Sequence, residues 1–186
     1  MRKVIFQMAV SLDGFFEGPG RGISWHGPVV DAEYNRYAEE FLNTIDTLLF
    51  GRVTYELMAG YWPSKDALKN DPVIAKKMNS LQKVVFSRTL KSVDWENSRL
   101  SVLGAADEVR KLKQQAGKDM AIFGSSDLCL ELIENGLIDE YRIMVAPIVL
   151  GDGKRLFQGI KKDLKLKLLG TKTMKSGMVM LYYVRD

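Results

Sequence analysis

A three-layer α/β domain, with a mixed, mostly parallel sheet flanked by helices and an antiparallel hairpin at its C-terminal end, is predicted by three features of the sequence. Short apolar runs alternate with stretches whose apolar positions recur three and four apart, the pattern of buried parallel strands joined by helices. Three of these runs stop abruptly at Gly51, Ser87 and Gly124, where a turn or helix must begin. The tail from Leu164 to Val184 instead alternates apolar with polar residues and turns near Lys175-Ser176-Gly177, as a hairpin does. No repeat, linker or low-complexity tract divides residues 1–186, so one domain is expected.

Val4 to Val10 reads as the first strand, and Ser11-Leu12-Asp13-Gly14 turns away from its end. The loop from Glu17 to Pro28 carries Gly18, Pro19, Gly20, Gly22 and Gly27 around Trp25-His26, and long glycine-rich loops inside a domain are more often functional than idle. Asp31 to Asn43 is predicted helical from Tyr34, Tyr37, Ala38, Phe41 and Leu42. Thr47 to Phe50 is a strand, and a helix follows Gly51-Arg52-Val53-Thr54. Pro63 and Pro72 frame an irregular connection, Val73 to Ser80 a short helix, and Lys83 to Phe86 a strand ending at Ser87-Arg88-Thr89. A helix over Ala105 to Ala116 turns Val109 and Leu112 inward.

Met120 to Phe123 is wholly apolar, as for a strand covered on both faces. Gly124-Ser125-Ser126-Asp127 then opens a helix whose stripe is Leu128, Cys129, Leu132 and Ile133, and Asn135-Gly136 closes it. Ser125, Ser126 and Asp127 can cap that helix, and the missing side chain at Gly124 leaves room for a phosphate. Ile138 to Leu150 suits another strand, placed at a sheet edge, where it would invite pairing of two copies. Gly151-Asp152-Gly153 turns the chain before Leu156 and Phe157.

Hydrophobic residues make up 46% and charged residues 27%, the mixture of a globular enzyme or binding domain, and no window approaches a membrane helix, so a cytoplasmic protein is expected. The net charge of +4 comes from 27 basic and 23 acidic residues mixed along the chain. Only Lys161, Lys162, Lys165 and Lys167 cluster, and they alternate with leucines as on a strand with one wet face, so nucleic acid is not an expected partner. One cysteine, Cys129, and one histidine, His26, leave no disulfide and no metal site.

Ligands of open α/β sheets bind beyond the carboxyl ends of the strands, and three such ends here carry Gly51-Arg52-Val53-Thr54, Ser87-Arg88-Thr89 and Gly124-Ser125-Ser126. Backbone amides beside Thr54 and Ser125 suit a pyrophosphate, and the planar forks of Arg52 and Arg88 suit a further phosphate. A dinucleotide with an extra phosphate, NADPH, satisfies both.

The runs Leu49 to Glu56, Lys83 to Leu90, Phe123 to Ser126, Gly136 to Glu140 and Pro147 to Gly153 together resemble the dihydrofolate-reductase-like family. With Ser11-Leu12-Asp13-Gly14 they are most similar to the reductase domain of bifunctional riboflavin-biosynthesis deaminase-reductases. The resemblance implies the dihydrofolate reductase fold, NADPH as cofactor and a homodimer. It implies Arg52, Ser87 and Arg88 near the 2′-phosphate, and Gly51, Thr54, Gly124, Ser125 and Ser126 around the pyrophosphate. It further implies that Ala9 meets the nicotinamide and that Ser24 and Trp25 lie over the reacting rings. Asp31, at the start of the next helix, falls where a dihydrofolate reductase keeps its acid, but the spacing from Asp31 to Gly51 is longer than in those enzymes. The zinc ligands of the deaminase half are absent from this chain.

Hydride transfer needs a proton source, and the candidates are Asp31, Asp13, Tyr55 and His26, the last read as a solvated loop residue. Three functions stay open: an NADPH-dependent reductase acting on a heterocyclic or other small carbonyl substrate, a non-catalytic NADP-binding or sensing protein, and a dihydrofolate reductase.

Overall fold

A computed structural model describes residues 1–186. The chain runs through β1 (Val4–Ser11), β2 (Phe15–Glu17), α1 (Ala32–Thr44), β3 (Ile45–Gly51), α2 (Arg52–Tyr61), α3 (Lys65–Asn70), α4 (Pro72–Ser80), β4 (Gln82–Phe86) and β5 (Ser98–Leu100). It continues through α5 (Ala105–Lys113), β6 (Asp119–Phe123), α6 (Ser126–Glu134), β7 (Glu140–Ala146), β8 (Lys154–Arg155), β9 (Leu166–Thr173) and β10 (Val179–Arg185). Short 3-10 turns occupy Pro19–Arg21 and Ser24–Val29.

Eight strands form one sheet in the order β5-β4-β3-β6-β1-β7-β10-β9, while β2 and β8 make a separate ribbon. Strands β5 to β7 in that order pair in parallel, and β10 and β9 close the sheet antiparallel. Parallel pairing demands a cover on both faces, which is why β1 and the middle of β6 are apolar at every pleat except Gln7 and the terminal Ser11 and are buried throughout. One face packs Val109 and Leu112 of α5 and Leu128, Leu132 and Ile133 of α6 against Val4, Phe6 and Met120. The other packs Tyr37 and Phe41 of α1, Tyr55 of α2 and Met78 of α4 against Ile5, Leu48 and Phe50. This is the three-layer architecture the sequence predicts.

Gln7 is satisfied rather than misplaced: its side-chain oxygen accepts from the Tyr37 hydroxyl at 2.5 Å, and Arg142 reaches the same hydroxyl at 3.4 Å. Lys83, buried at the start of β4, donates to the carbonyls of Asn79, Leu81 and Glu96 at 2.8 to 2.9 Å and lies 4.4 Å from the Trp95 ring. Such complete pairing is what makes a buried ammonium tolerable.

Several expectations need correction. The strand over Ile138 to Leu150 is shorter, Glu140–Ala146, because Pro147 has no N–H for the ladder and Ile148 donates back to the Ala146 carbonyl. It is also not an edge. β7 lies between β1 and β10, and the edges are β5 and β9. The leucine and lysine alternation holds only as far as Lys167: Leu164 and Leu166 pack against the core and Lys165 and Lys167 are exposed, but the edge strand β9, which starts at Leu166, leaves Leu168 50% and Leu169 57% exposed. The connection between Pro63 and Pro72 holds α3, started by the Ser64 hydroxyl accepting from the Ala67 amide.

Candidate functional site

Parallel β4, β3 and β6 are neighbours in the sheet, so the three punctuated strand ends stand side by side. Beyond them opens a cleft of about 690 Å³. Gly51, Arg52, Thr54, Ser87, Arg88, Ser125 and Ser126, all named from the sequence, line it. Its floor is made by helix starts. The first turns of α2, α5 and α6 all reach the lining, and in none of the three does the residue before the helix cap the first-turn amides with its side chain. Away from the cleft, α1 and α3 are capped by Asp31 and Ser64, while α4 has no side-chain cap and starts with Pro72, which has no N–H to satisfy. Uncapped amides carry the positive end of the helix dipole and favour an anion.

Expected side-chain capping of α6 by Ser125, Ser126 or Asp127 is absent, because these groups are used otherwise. Ser125 adopts a left-handed backbone (φ 55, ψ 50), its amide donates to Thr54 Oγ1 at 2.9 Å, and its own hydroxyl accepts from the Gly51 amide at 3.0 Å. The starts of α2 and α6 are thereby tied together. Gly124 also differs from expectation. A Cβ there would meet Thr54 Oγ1 and Cγ2 at 3.0 Å, and its φ of +62 is left-handed, so the glycine serves the Thr54 contact and the turn rather than an opening for phosphate.

The charged walls are unequal. Arg52 pairs with Glu56 at 2.9 Å on an exposed surface, and Lys154 pairs with Asp127 at 3.0 Å. Arg88 and Arg21, both lining, face the cleft without a carboxylate partner within ion-pair range. Arg88 sits in a turn in which the Ser87 hydroxyl accepts from the amides of Thr89 and Leu90 at 3.1 and 2.9 Å. Behind it, the Trp95 amide donates to the Tyr55 hydroxyl at 3.0 Å, so Tyr55, 5% exposed, fastens α2 to this segment.

The remaining sequence-named residues lie off the cleft lining. Ala9 is buried near the end of β1, opposite Met144. Ser24 is exposed, whereas Trp25 is buried with an indole N–H that has no partner. His26 is not the solvated loop residue expected: its Nε2 is buried and unpartnered, and burial pushes its pKa below 6.5. Asp31 caps α1, accepting from the Tyr34 amide at 2.8 Å through Oδ1. Asp13 binds the Ser11 hydroxyl at 2.6 Å and the amides of Leu150 and Gly151 at 3.1 and 2.8 Å. The Ser11 hydroxyl above all, with these amides, holds its carboxyl down at about 2, so Asp13 joins two loops and carries no proton to give near neutrality.

Sequence reasoning missed the far wall, made by Phe16, Glu17, Arg21 and Lys154, and the contribution of Ser101, Leu103 and Gly104. Gly104 before α5 repeats the glycine-then-helix punctuation and could have been found; Arg21 and Lys154 had no local signal.

A model of the RibD C-terminal domain matches residues 2–180. The chain belongs to the RibD C-terminal domain family. Its relatives include the proteins YyaP and YwjB of Bacillus subtilis (strain 168). YyaP is 37% identical over 98% of this chain and 94% of its own length, and YwjB 32% over 99% and 98%. A solved structure from Shewanella sp. PV-4 superposes with a TM-score of 0.76 at 20% identity, covering 99% of both chains. The Thermotoga maritima diaminohydroxyphosphoribosylaminopyrimidine deaminase/5-amino-6-(5-phosphoribosylamino)uracil reductase gives 0.71 at 15%, over 100% of this chain and 57% of that one. An Enterococcus faecalis dihydrofolate reductase complexed with NADP(H) gives 0.65 at 17%, over 99% and 96%. At these identities the structures establish the fold, which is that of the dihydrofolate reductases and of riboflavin-biosynthesis reductase domains.

Proposed function

We propose that this RibD-type domain is an NADPH-dependent oxidoreductase that transfers hydride to a carbonyl or imine carbon of a small heterocyclic substrate, of the kind named for its Thermotoga relative. The observation that carries this reading is the meeting, in one cleft, of three uncapped helix starts with Arg52 and Arg88 from neighbouring strand ends. Free amides suit a pyrophosphate, and guanidinium forks suit the additional phosphate that separates NADPH from NADH.

Ser126 and the first-turn amides of α2 and α6 would hold the pyrophosphate, Ser87, Arg88 and Arg52 the 2′-phosphate, and Ala9 the nicotinamide through its backbone. Bound NADPH supplies the hydride. The chain's own part is to hold donor and acceptor together, exclude water and deliver a proton. Ser24 and Trp25 would cover the acceptor. Asp31 is the proposed proton source, since Asp13 is committed to its loop contacts and Tyr55 to Trp95. Pairing of two copies and a cytoplasmic place belong to the same reading.

Turnover tests it. Mixed with NADPH and a substrate of the 5-amino-6-(5-phosphoribosylamino)uracil class, the protein is expected to oxidise NADPH and reduce the ribosylamino carbon, as its open-chain imine, to an alkylamine, leaving the pyrimidine ring unreduced. Asp31→Asn keeps a good helix cap and should therefore fold normally, while turnover falls by ~10²- to 10⁴-fold. Full activity in that variant places the acid elsewhere. Tight NADPH binding with no reduction of this or any carbonyl or dihydrofolate substrate would instead favour a non-catalytic NADP-binding protein.

A further inference from the structure

Arg21 lines the cleft from the side opposite Arg52 and Arg88, on the glycine-rich loop after β2. The base of this loop lies beside the start of α6. Glu17 pairs with Lys154 in the small ribbon, and the Lys154 ammonium lies 3.0 Å from Asp127 in the first turn of that helix. Gly153 fits against the strand only because it lacks a side chain: a Cβ there would lie 2.0 Å from the Glu17 carbonyl oxygen. The tip, in turn, closes on itself. The Gly18 amide donates to the Gly22 carbonyl at 2.8 Å, and the Gly22 amide to the Pro19 carbonyl at 3.3 Å.

Within that closed tip Gly20 and Arg21 both have φ of 65. A left-handed backbone costs free energy in any residue with a Cβ, and such strain persists where the side chain's placement matters. Glycine would fill the position without strain, yet an arginine stands there. Its guanidinium makes no hydrogen bond or ion pair with the protein, although Glu17, Asp127 and Glu131 share the lining. Lys154 pairs with Asp127, the carboxylate nearest the α6 amides in sequence, at 3.0 Å.

Resting on the reading of the cleft as a dinucleotide site, we infer that Arg21 is a clamp on the cofactor's pyrophosphate. The first-turn amides of α6 hold the anion from one side, and the loop brings the guanidinium to it from the other. Arg52 and Arg88 sit beyond β3 and β4 and read the 2′-phosphate. Arg21 belongs to the phosphates that NADPH and NADH share. Cofactor binding therefore orders the loop tip, and the loop in turn slows cofactor release.

The full chain and its Arg21→Ala variant, titrated with NADPH and NADH by fluorescence, test this. Both cofactors are expected to weaken by a similar factor, about tenfold or more, because a charge-assisted contact to a shared group is lost. The melting temperature should not move, since Arg21 bonds to nothing in the protein. In the wild type, NADPH or inorganic pyrophosphate should slow tryptic cleavage between Arg21 and Gly22. Unchanged affinities, or NADPH cleavage rates equal to those of the free protein, overturn the clamp while leaving the dinucleotide site standing. A loss confined to NADPH overturns it in favour of 2′-phosphate contact. Failure of the wild type to bind either dinucleotide overturns the clamp and the proposed function together.

Discussion

Arg52 and Arg88 come from adjacent strand ends but differ in what already holds them. Glu56 occupies Arg52 on an exposed helix surface, where an ion pair contributes little, while Arg88 faces the cleft unpaired. A 2′-phosphate must displace Glu56 from the first and meets the second free. Arg88→Ala is therefore expected to weaken NADPH by roughly tenfold to a hundredfold, the ~1.5 to 3 kcal/mol of a charged hydrogen bond, and to leave NADH nearly unchanged. Arg52→Ala should cost less. Fluorescence titration with both cofactors checks this, and an equal loss for the two would mean that Arg88 only braces its turn. Asp13 shows the limit of reading single residues. Its Asp-Gly context signals a turn, which is correct, but the three donors that fix its charge come partly from Leu150 and Gly151, far along the chain.

The joined starts of α2 and α6 are the element-scale feature on which the cleft depends. Thr54 accepts from the Ser125 amide, Ser125 accepts from the Gly51 amide, and Gly124 leaves just enough room for Thr54. Thr54→Val keeps the shape but leaves the Ser125 amide without its acceptor, which should cost ~1 to 3 kcal/mol and lower dinucleotide affinity through the shifted α6 start. Paired with Ser125→Ala in a double-mutant cycle, it should show coupling of ~0.5 to 3 kcal/mol in urea unfolding; strictly additive losses would mean that the two helix starts are independent. The elements themselves were legible where periodicity is strong. The stripe at Leu128, Cys129, Leu132 and Ile133 is buried as its spacing requires, and Gly136 takes the left-handed cap position with φ of +65. β2, β5 and β8 were not legible, because strands of two or three residues have no period to read and exist only through their partners.

At the scale of the whole molecule, local pattern is silent about which strand lies at an edge. β7 reads as an exposed apolar strand, yet pairing of Ile5 to Ser11 with Glu140 to Ala146 buries it in the sheet, and the edge falls to β9. Likewise the cleft's near wall was legible because each strand end announces itself locally, whereas the far wall with Arg21 and Lys154 arises from the β2 and β8 ribbon, which joins distant segments. The proposed pairing of two copies therefore uses β9, whose Leu168 and Leu169 stand exposed on an open edge. Light scattering should give a mass near twice the 21.0 kDa chain, and Leu169→Lys should halve it. A single-chain mass for the wild type would remove the dimer from the account. The measurement that tests the central claim most directly is a calorimetric titration of the wild-type protein with NADPH and with NADH. The account requires one NADPH per chain, bound about tenfold or more tighter than NADH. No heat with NADPH, or equal affinity for the two, would contradict it.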